Sequence, residues 1–145
     1  MKTIVFGADH AGFALKNHLI EVCRALGYTC LDEGTDSDES VDYPIYAAKV
    51  CEAVRSGKAD CGILVCGTGI GMSMAANRHS GIRAAVCSDP VGAKFTRLHN
   101  DANVLCLGAR MIGSLAAEEI TDVFLKTEFM GGKHQKRIAM LDEYR

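Results

Sequence analysis

Short apolar or β-branched runs alternate along this chain with longer stretches in which apolar residues return every three or four positions. Thr3–Phe6, Thr29–Leu31, Gly62–Val65, Ala84–Cys87 and Val104–Leu107 form the first class and predict strands. Phe13–Leu26, Tyr43–Arg55, Gly71–Asn77, Pro90–Leu98 and Ser114–Lys126 form the second and predict helices. Pro44 suits a first helical turn, where its missing N–H breaks no bond, and Gly27 supplies a stop after the first helix. A last helix is expected at about residues 133–144, with Lys133, Lys136 and Arg137 on it. Strand–helix alternation of this kind implies parallel crossovers, hence an α/β domain. No linker, repeat or low-complexity stretch interrupts residues 1–145, so a single domain is expected.

In an open parallel sheet, ligands sit beyond the carboxyl ends of the strands. The loops there carry Asp9 and His10 after the first strand, Cys66 to Gly71 after the third, Ser88 and Asp89 after the fourth, and Arg110 after the fifth. His99 and Asn100 close the fourth helix and therefore belong to the opposite edge. The acidic, turn-rich stretch Asp32–Asp42 predicts a mobile loop in which Asp36, Asp38 and Glu39 have no role.

The run Cys61 to Asn77 is the most informative segment. An apolar strand leads directly into Cys66, three alternating glycines (Gly67, Gly69, Gly71) and a helix start. A thiol so placed faces backbone N–H groups and a helix N-terminus, both of which favour the thiolate. Glycines let a ligand approach the backbone and permit the positive φ that such a loop needs. Without that loop, a cysteine at a strand end reads as a small buried hydrophobe, and Cys23, Cys30, Cys51, Cys61, Cys87 and Cys106 keep that reading.

Composition narrows the classes. Hydrophobic residues make up 48% and charged residues 23%, with a net charge of −2, which favours a compact soluble protein and gives no basis for binding nucleic acid. Seven cysteines without a C-x2-C spacing indicate reduced thiols in the cytoplasm, neither a disulfide framework nor a zinc site. No apolar run approaches a membrane span.

Several chemistries fail on single positions. The first strand leads into Gly7-Ala-Asp-His-Ala-Gly12, which is not a dinucleotide fingerprint, and no G-K-[ST] closes a phosphate loop. A cysteine phosphatase needs arginine six positions past its nucleophile, where Met72 stands. The stretch Gly71-Met-Ser73-Met-Ala75 lacks the second glycine of a serine-hydrolase elbow. A thiol beside backbone donors, with Asp9 and His10 near and no metal-ligand spacing, suits proton transfer next to a carbonyl without metal or redox cofactor.

Seven segments carry a resemblance to a known family: Phe6–Phe13, Asp42–Pro44, Cys66–Gly71, Ala75–Asn77, Gly81–Arg83, His99–Asp101 and Gly131–Gln135. Over nearly its whole length the chain resembles the type B ribose-5-phosphate isomerases, a family that includes allose-6-phosphate and galactose-6-phosphate isomerases. The resemblance implies a three-layer αβα sandwich around a Rossmann-like five-stranded parallel sheet. It implies Cys66 as the base moving a proton between C1 and C2, with the Thr68 hydroxyl and the amides of Gly67, Thr68, Gly69, Ile70 and Gly71 holding the enediolate. It further implies His99 as the ring-opening acid helped by Asp9, a phosphate held by His10, Arg110, Lys133 and Arg137, and a sugar hydroxyl on Asn100. No cofactor and no metal are implied. The substrate is a small sugar phosphate, and the assembly is a homodimer or tetramer whose sites are shared between subunits, with the C-terminal helix packing on a partner. Sharing would explain why His99 and Asn100 lie at the wrong edge.

Two positions depart from the family pattern. Lys133 stands where arginine is common, which implies weaker phosphate affinity or an altered sugar-length preference. Met72 stands where another branch places a glutamate base, which favours Cys66. Two rival readings are a hexose-phosphate isomerase of the same family and a nonenzymatic metabolite sensor; Cys66, Thr68 and His99 together argue against the sensor. His18, His79 and His134 read as structural or solvated residues, and Met72 and Met74 as core or interface packing. Lys133, Lys136 and Arg137 also fit a solvated helix face, although Gly131-Gly132 before them suggests a chain turned to aim them.

Overall fold

The computed structural model describes residues 1–144. Its elements in chain order are β1 (Thr3–Ala8), α1 (Phe13–Ala25), β2 (Thr29–Asp32), α2 (Tyr43–Arg55), β3 (Cys61–Cys66), α3 (Ile70–Ala76), β4 (Ala84–Val86), α4 (Pro90–Asn100), β5 (Val104–Gly108), α5 (Ser114–Lys126) and α6 (Lys133–Leu141). The strands form one parallel sheet in the order β2-β1-β3-β5-β4.

β3 and β5 are buried at every position and β1 at all but its first, as the near-continuous apolar runs of a sheet covered on both faces require. Successive side chains turn to opposite faces. Ile4, Phe6, Ile63, Val65, Leu105 and Leu107 pack with Leu19 of α1, Ala93 of α4 and Phe124 of α5. Val5, Leu64, Val104 and Cys106 pack with Val50 of α2 and Met72 of α3. The result is the three-layer αβα sandwich with a five-stranded parallel sheet.

Progress across the sheet reverses at β1: the chain goes outward to β2, then returns past β1 to β3. Such a reversal opens a crevice at the carboxyl ends of β1 and β3. Cys66 and the turn after Ala8 stand at those carboxyl ends.

Local signals behave as expected at several ends. Pro44 sits at the start of α2 and Gly27 after α1 has φ +97°; Asp89, placed by the sequence only in the loop after the fourth strand, caps α4 by accepting the Gly92 N–H at 2.8 Å. Boundaries move where tertiary bonds extend or cut an element. β1 reaches Ala8 and β3 includes Cys66, since the ladders to β3 and β5 continue that far. α4 runs on through Asn100, so His99 and Asn100 belong to its last turn. α6 is shorter than residues 133–144, ending at Leu141 with turns beyond it.

The Asp32–Asp42 loop is tied down at both ends. Glu33 and Thr35 donate N–H bonds to Phe6 and Ala8, and Ala8 donates to Gly34, so residues 33–35 follow the β1 edge. Lys16, fully buried on α1, meets the Asp32 carboxylate at 2.7 Å, and the same oxygen accepts the Gly34 N–H. Val41 N–H donates to His10 Nδ1 at 3.2 Å.

Candidate active site

Cys66 ends β3 with its side chain among the α2 and α3 core residues and only 5% of its surface exposed. The Gly69 N–H donates to its Sγ at 3.2 Å. Gly69 can do this because it adopts φ +79°, and because a side chain there would fall 2.9 Å from the Leu107 carbonyl carbon. The Ile70 N–H donates to the exposed Thr68 hydroxyl at 3.2 Å. Of the amides expected to face an enediolate, those of Gly69 and Ile70 are thus engaged within the loop, while Gly71 lies in the first turn of α3, where N–H groups have no helical acceptor.

The loop after β5 is stitched to this one. Ala109 N–H donates to the Cys66 carbonyl at 2.8 Å and Arg110 N–H to the Gly67 carbonyl at 2.9 Å, so the Arg110 side chain lies over Gly67. Asp9 completes the rim from β1. Its N–H donates to Val65, and its Oδ1 accepts the Gly12 N–H at 3.0 Å, holding the turn into α1. His10 accepts at Nδ1 from Val41, so its ring proton sits on Nε2. Tyr43 lies across the loop from α2, with its ring against Gly71. The sequence reading gave Tyr43 no role; its only signal was its place in Asp42–Pro44.

A second cluster forms where α4 meets α6. The His99 ring stacks on His134 with centroids 4.2 Å apart and planes 14° apart, and meets Phe95 edge-on at 5.2 Å. A groove of about 280 Å3 is lined by His99, Asn100, His134, Arg137, Ile138 and Leu141. Lys133 stands exposed at the first position of α6. Of the two readings of His134, structural or solvated, the structure bears out the first: it is a buried stacking partner of His99. Burial, and then the positive charge of His99, Lys133 and Arg137, hold its pKa below the ordinary imidazole value.

Asp9, His10, Cys66, Gly67, Thr68, Gly69, Ile70, Gly71 and Arg110 therefore gather at the carboxyl edge of the sheet. His99, Asn100 and Arg137 gather at the other edge with Lys133 nearby, because α4 runs back to the start of β5. A six-residue strand separates the edges, about 20 Å at the usual rise. No five-carbon phosphate touches both within one chain. A larger cavity of about 490 Å3 beside Asn77–Ile82 and the C-terminal turn contains none of the candidate residues, so size does not locate the site.

The other six cysteines are buried in the core. Burial pushes Cys23, Cys51 and Cys61 up to about 12 and Cys87 to about 11, and raises Cys30 and Cys106 as well. Among the described residues no group of three or more His, Cys, Asp or Glu could hold a metal ion, and no helix is long and apolar enough to cross a membrane.

A family model described as Ribose/Galactose Isomerase matches residues 4–141. The chain belongs to the ribose/galactose isomerase family. Membership makes it an aldose–ketose isomerase, as the resemblance implied. Within the family it is 49% identical to ribose-5-phosphate isomerase B of Escherichia coli over 141 residues, 97% of this chain and 95% of that one. A ribose 5-phosphate isomerase of Thermotoga maritima superposes with a TM-score of 0.97 at 50% identity, covering 99% of both chains. Ribose-5-phosphate isomerase B of Mycoplasma genitalium, solved with bound ribulose-5-phosphate, gives a TM-score of 0.93 at 38% identity, covering 98% of this chain and 95% of that one.

Proposed function

We propose that this chain interconverts ribose 5-phosphate and ribulose 5-phosphate through an enediolate, with Cys66 as the proton-transfer base and His99 as the ring-opening acid. The observation that carries the reading is the N–H···Sγ bond from Gly69 to Cys66 at the carboxyl end of β3. A donor at sulfur strengthens as the sulfur gains negative charge.

In the first step His99 protonates the ring oxygen as the C1–O4 bond breaks and Asp9 takes the proton of the O1 hydroxyl, which leaves the open aldehyde. Cys66 then takes the C2 proton. The released pair forms the C1=C2 bond while the carbonyl oxygen becomes an oxyanion beside the Thr68 hydroxyl and the loop amides. Returning the carbon-bound proton to C1, and moving the hydroxyl proton from O2 to O1, places the carbonyl at C2. No electron acceptor and no metal enters this balance. His10, through its Nε2–H, and Arg110 take phosphate oxygens from one side, Lys133 and Arg137 from the other, and Asn100 holds a sugar hydroxyl.

Since the two clusters lie on opposite edges, each site takes the Cys66 loop from one copy and the His99 cluster from another, within a homodimer or tetramer. Exposed apolar side chains support this: Ile70 and Met74 beside the first cluster, Val91 and Phe95 on α4, and Met140 and Leu141 on α6, which packs on the partner. Seven unpaired cysteines suit the cytoplasm. Ribulose 5-phosphate incubated in D2O with a chelator tests the chemistry. Wild-type protein should place deuterium at C1, and Cys66→Ala should lower both exchange and turnover by at least roughly a thousandfold, with substrate binding kept within about tenfold. Full exchange in that variant would remove Cys66 from the mechanism.

A further inference from the structure

We infer that Arg83 and Asp101 are positioning residues that aim His99 at the sugar, an inference that rests on the role proposed for His99. The segments Gly81–Arg83 and His99–Asp101 stand apart in sequence and received no joint role from the chemistry. In the fold they meet at one corner, where β4 begins, α4 ends and β5 begins.

Arg83 Nε donates to the Asn100 carbonyl at 3.0 Å and to the Asp101 carbonyl at 3.1 Å, and its Nη2 approaches Asp101 Oδ2 at 3.5 Å. From the other side, Arg97 Nη1 donates to Asp101 Oδ1 at 2.8 Å and to the Ala102 carbonyl at 2.7 Å. Asp101 itself sits in the left-handed region, φ 45° and ψ 45°, as the C-cap of α4. Asn103 ties the corner further, accepting the Arg83 N–H at 2.8 Å and donating to the Gly81 carbonyl at 2.9 Å.

The last carbonyls of a helix have no helical donor, so a final turn ordinarily frays. Here that turn carries His99 and Asn100, and the Arg83 Nε–H reaches the carbonyl of Asn100 itself. Closing the corner is already the work of Arg97, which is buried and also holds the Thr127 carbonyl. Arg83 adds a second cation aimed at the two residues after His99. Its effect is to fix the backbone from which the imidazole projects between Phe95 and His134.

The test separates ring opening from enolisation. Ribose 5-phosphate is a furanose, whereas ribulose 5-phosphate, with O5 blocked by phosphate, has no ring to open. Arg83→Met, which keeps the stem and removes the donors, should lower kcat on ribose 5-phosphate by about 10- to 100-fold while C1 deuterium exchange into ribulose 5-phosphate stays within about threefold. Arg83→Lys should restore part of the loss. Added to His99→Ala, Arg83→Met should cost no more than about twofold further, since both act through one group. Asp101→Asn, which tolerates the left-handed backbone but lacks the charge, should show the same selectivity and serves if Arg83→Met does not fold. Equal losses in the two assays, or an additive loss on the His99→Ala background, would overturn the inference. If His99→Ala alone leaves ribose 5-phosphate turnover intact, the assignment of His99 fails, and the positioning role fails with it.

Discussion

Cys30 and Cys51 direct their S–H groups at the carbonyls of Tyr28 and Ala76, each at 3.8 Å, a contact that requires the proton to stay on sulfur. Cys66 receives an N–H instead. Exposure does not separate them, since Cys66 is 5% exposed and Cys30 is 7%; the direction of the hydrogen bond does. Limiting iodoacetamide near neutral pH should therefore label Cys66 ahead of the other six, with ribulose 5-phosphate protecting it, as peptide mass spectrometry would read. Labelling centred on Cys30 would contradict this. Cys66 was legible in the sequence because glycines at 67, 69 and 71 mark the loop that turns an N–H back onto its sulfur. His134 was legible only as structural or solvated, and its partner was not, because a stacking contact between α4 and α6 leaves no mark within either helix. Tyr43 was missed for the same reason, its ring meeting Gly71 across a gap of some thirty positions in the chain.

Among elements, the loop after β3 takes its shape from the loop after β5. The parallel ladder pairs Cys66 with Gly108, and a side chain at 108 would meet the Thr68 carbonyl at 2.6 Å. Gly108→Ala should thus destabilise the fold by about 1–3 kcal/mol and reduce activity by moving Thr68 to Gly71. Gly113→Ala, with nothing within 4 Å, should cost under about 1 kcal/mol as a change of helix cap. Thermal melts and turnover of the two variants check the pair; similar losses would mean that close approach at 108 does not shape the loop. The elements themselves were largely readable, because apolar runs and helical periodicity are local properties. Their ends were less so. β1 and β3 lengthen because neighbouring strands supply ladder partners, and α4 extends through Asn100 because Arg83 and Arg97 hold its last turn. The Asp32–Asp42 stretch reads as a free loop, yet its first residues follow β1, a pairing that its own composition does not encode.

At the scale of the whole molecule, the proposed reading gives one chain two half-sites on opposite edges of its sheet. Mixing Cys66→Ala with His99→Ala protein under conditions of subunit exchange should restore about a quarter of wild-type turnover, since half of the dimers are mixed and each holds one intact site. No recovery from stably mixed dimers would mean that the sites are not shared. Alternation of apolar and periodic segments was enough to establish an α/β layer structure and to place Asp9, Cys66 and Arg110 at strand ends, because side-chain period and crossover geometry follow from neighbours in sequence. It also placed His99 at the far edge, since a helix that returns to start the next strand must end there. Three-dimensional packing alone decided that Gly69 turns its N–H onto Cys66, that His134 stacks on His99, and that Arg83 grips Asn100 and Asp101. Each of those contacts joins groups through space in directions set by the folded backbone, and no local pattern of residues contains that information.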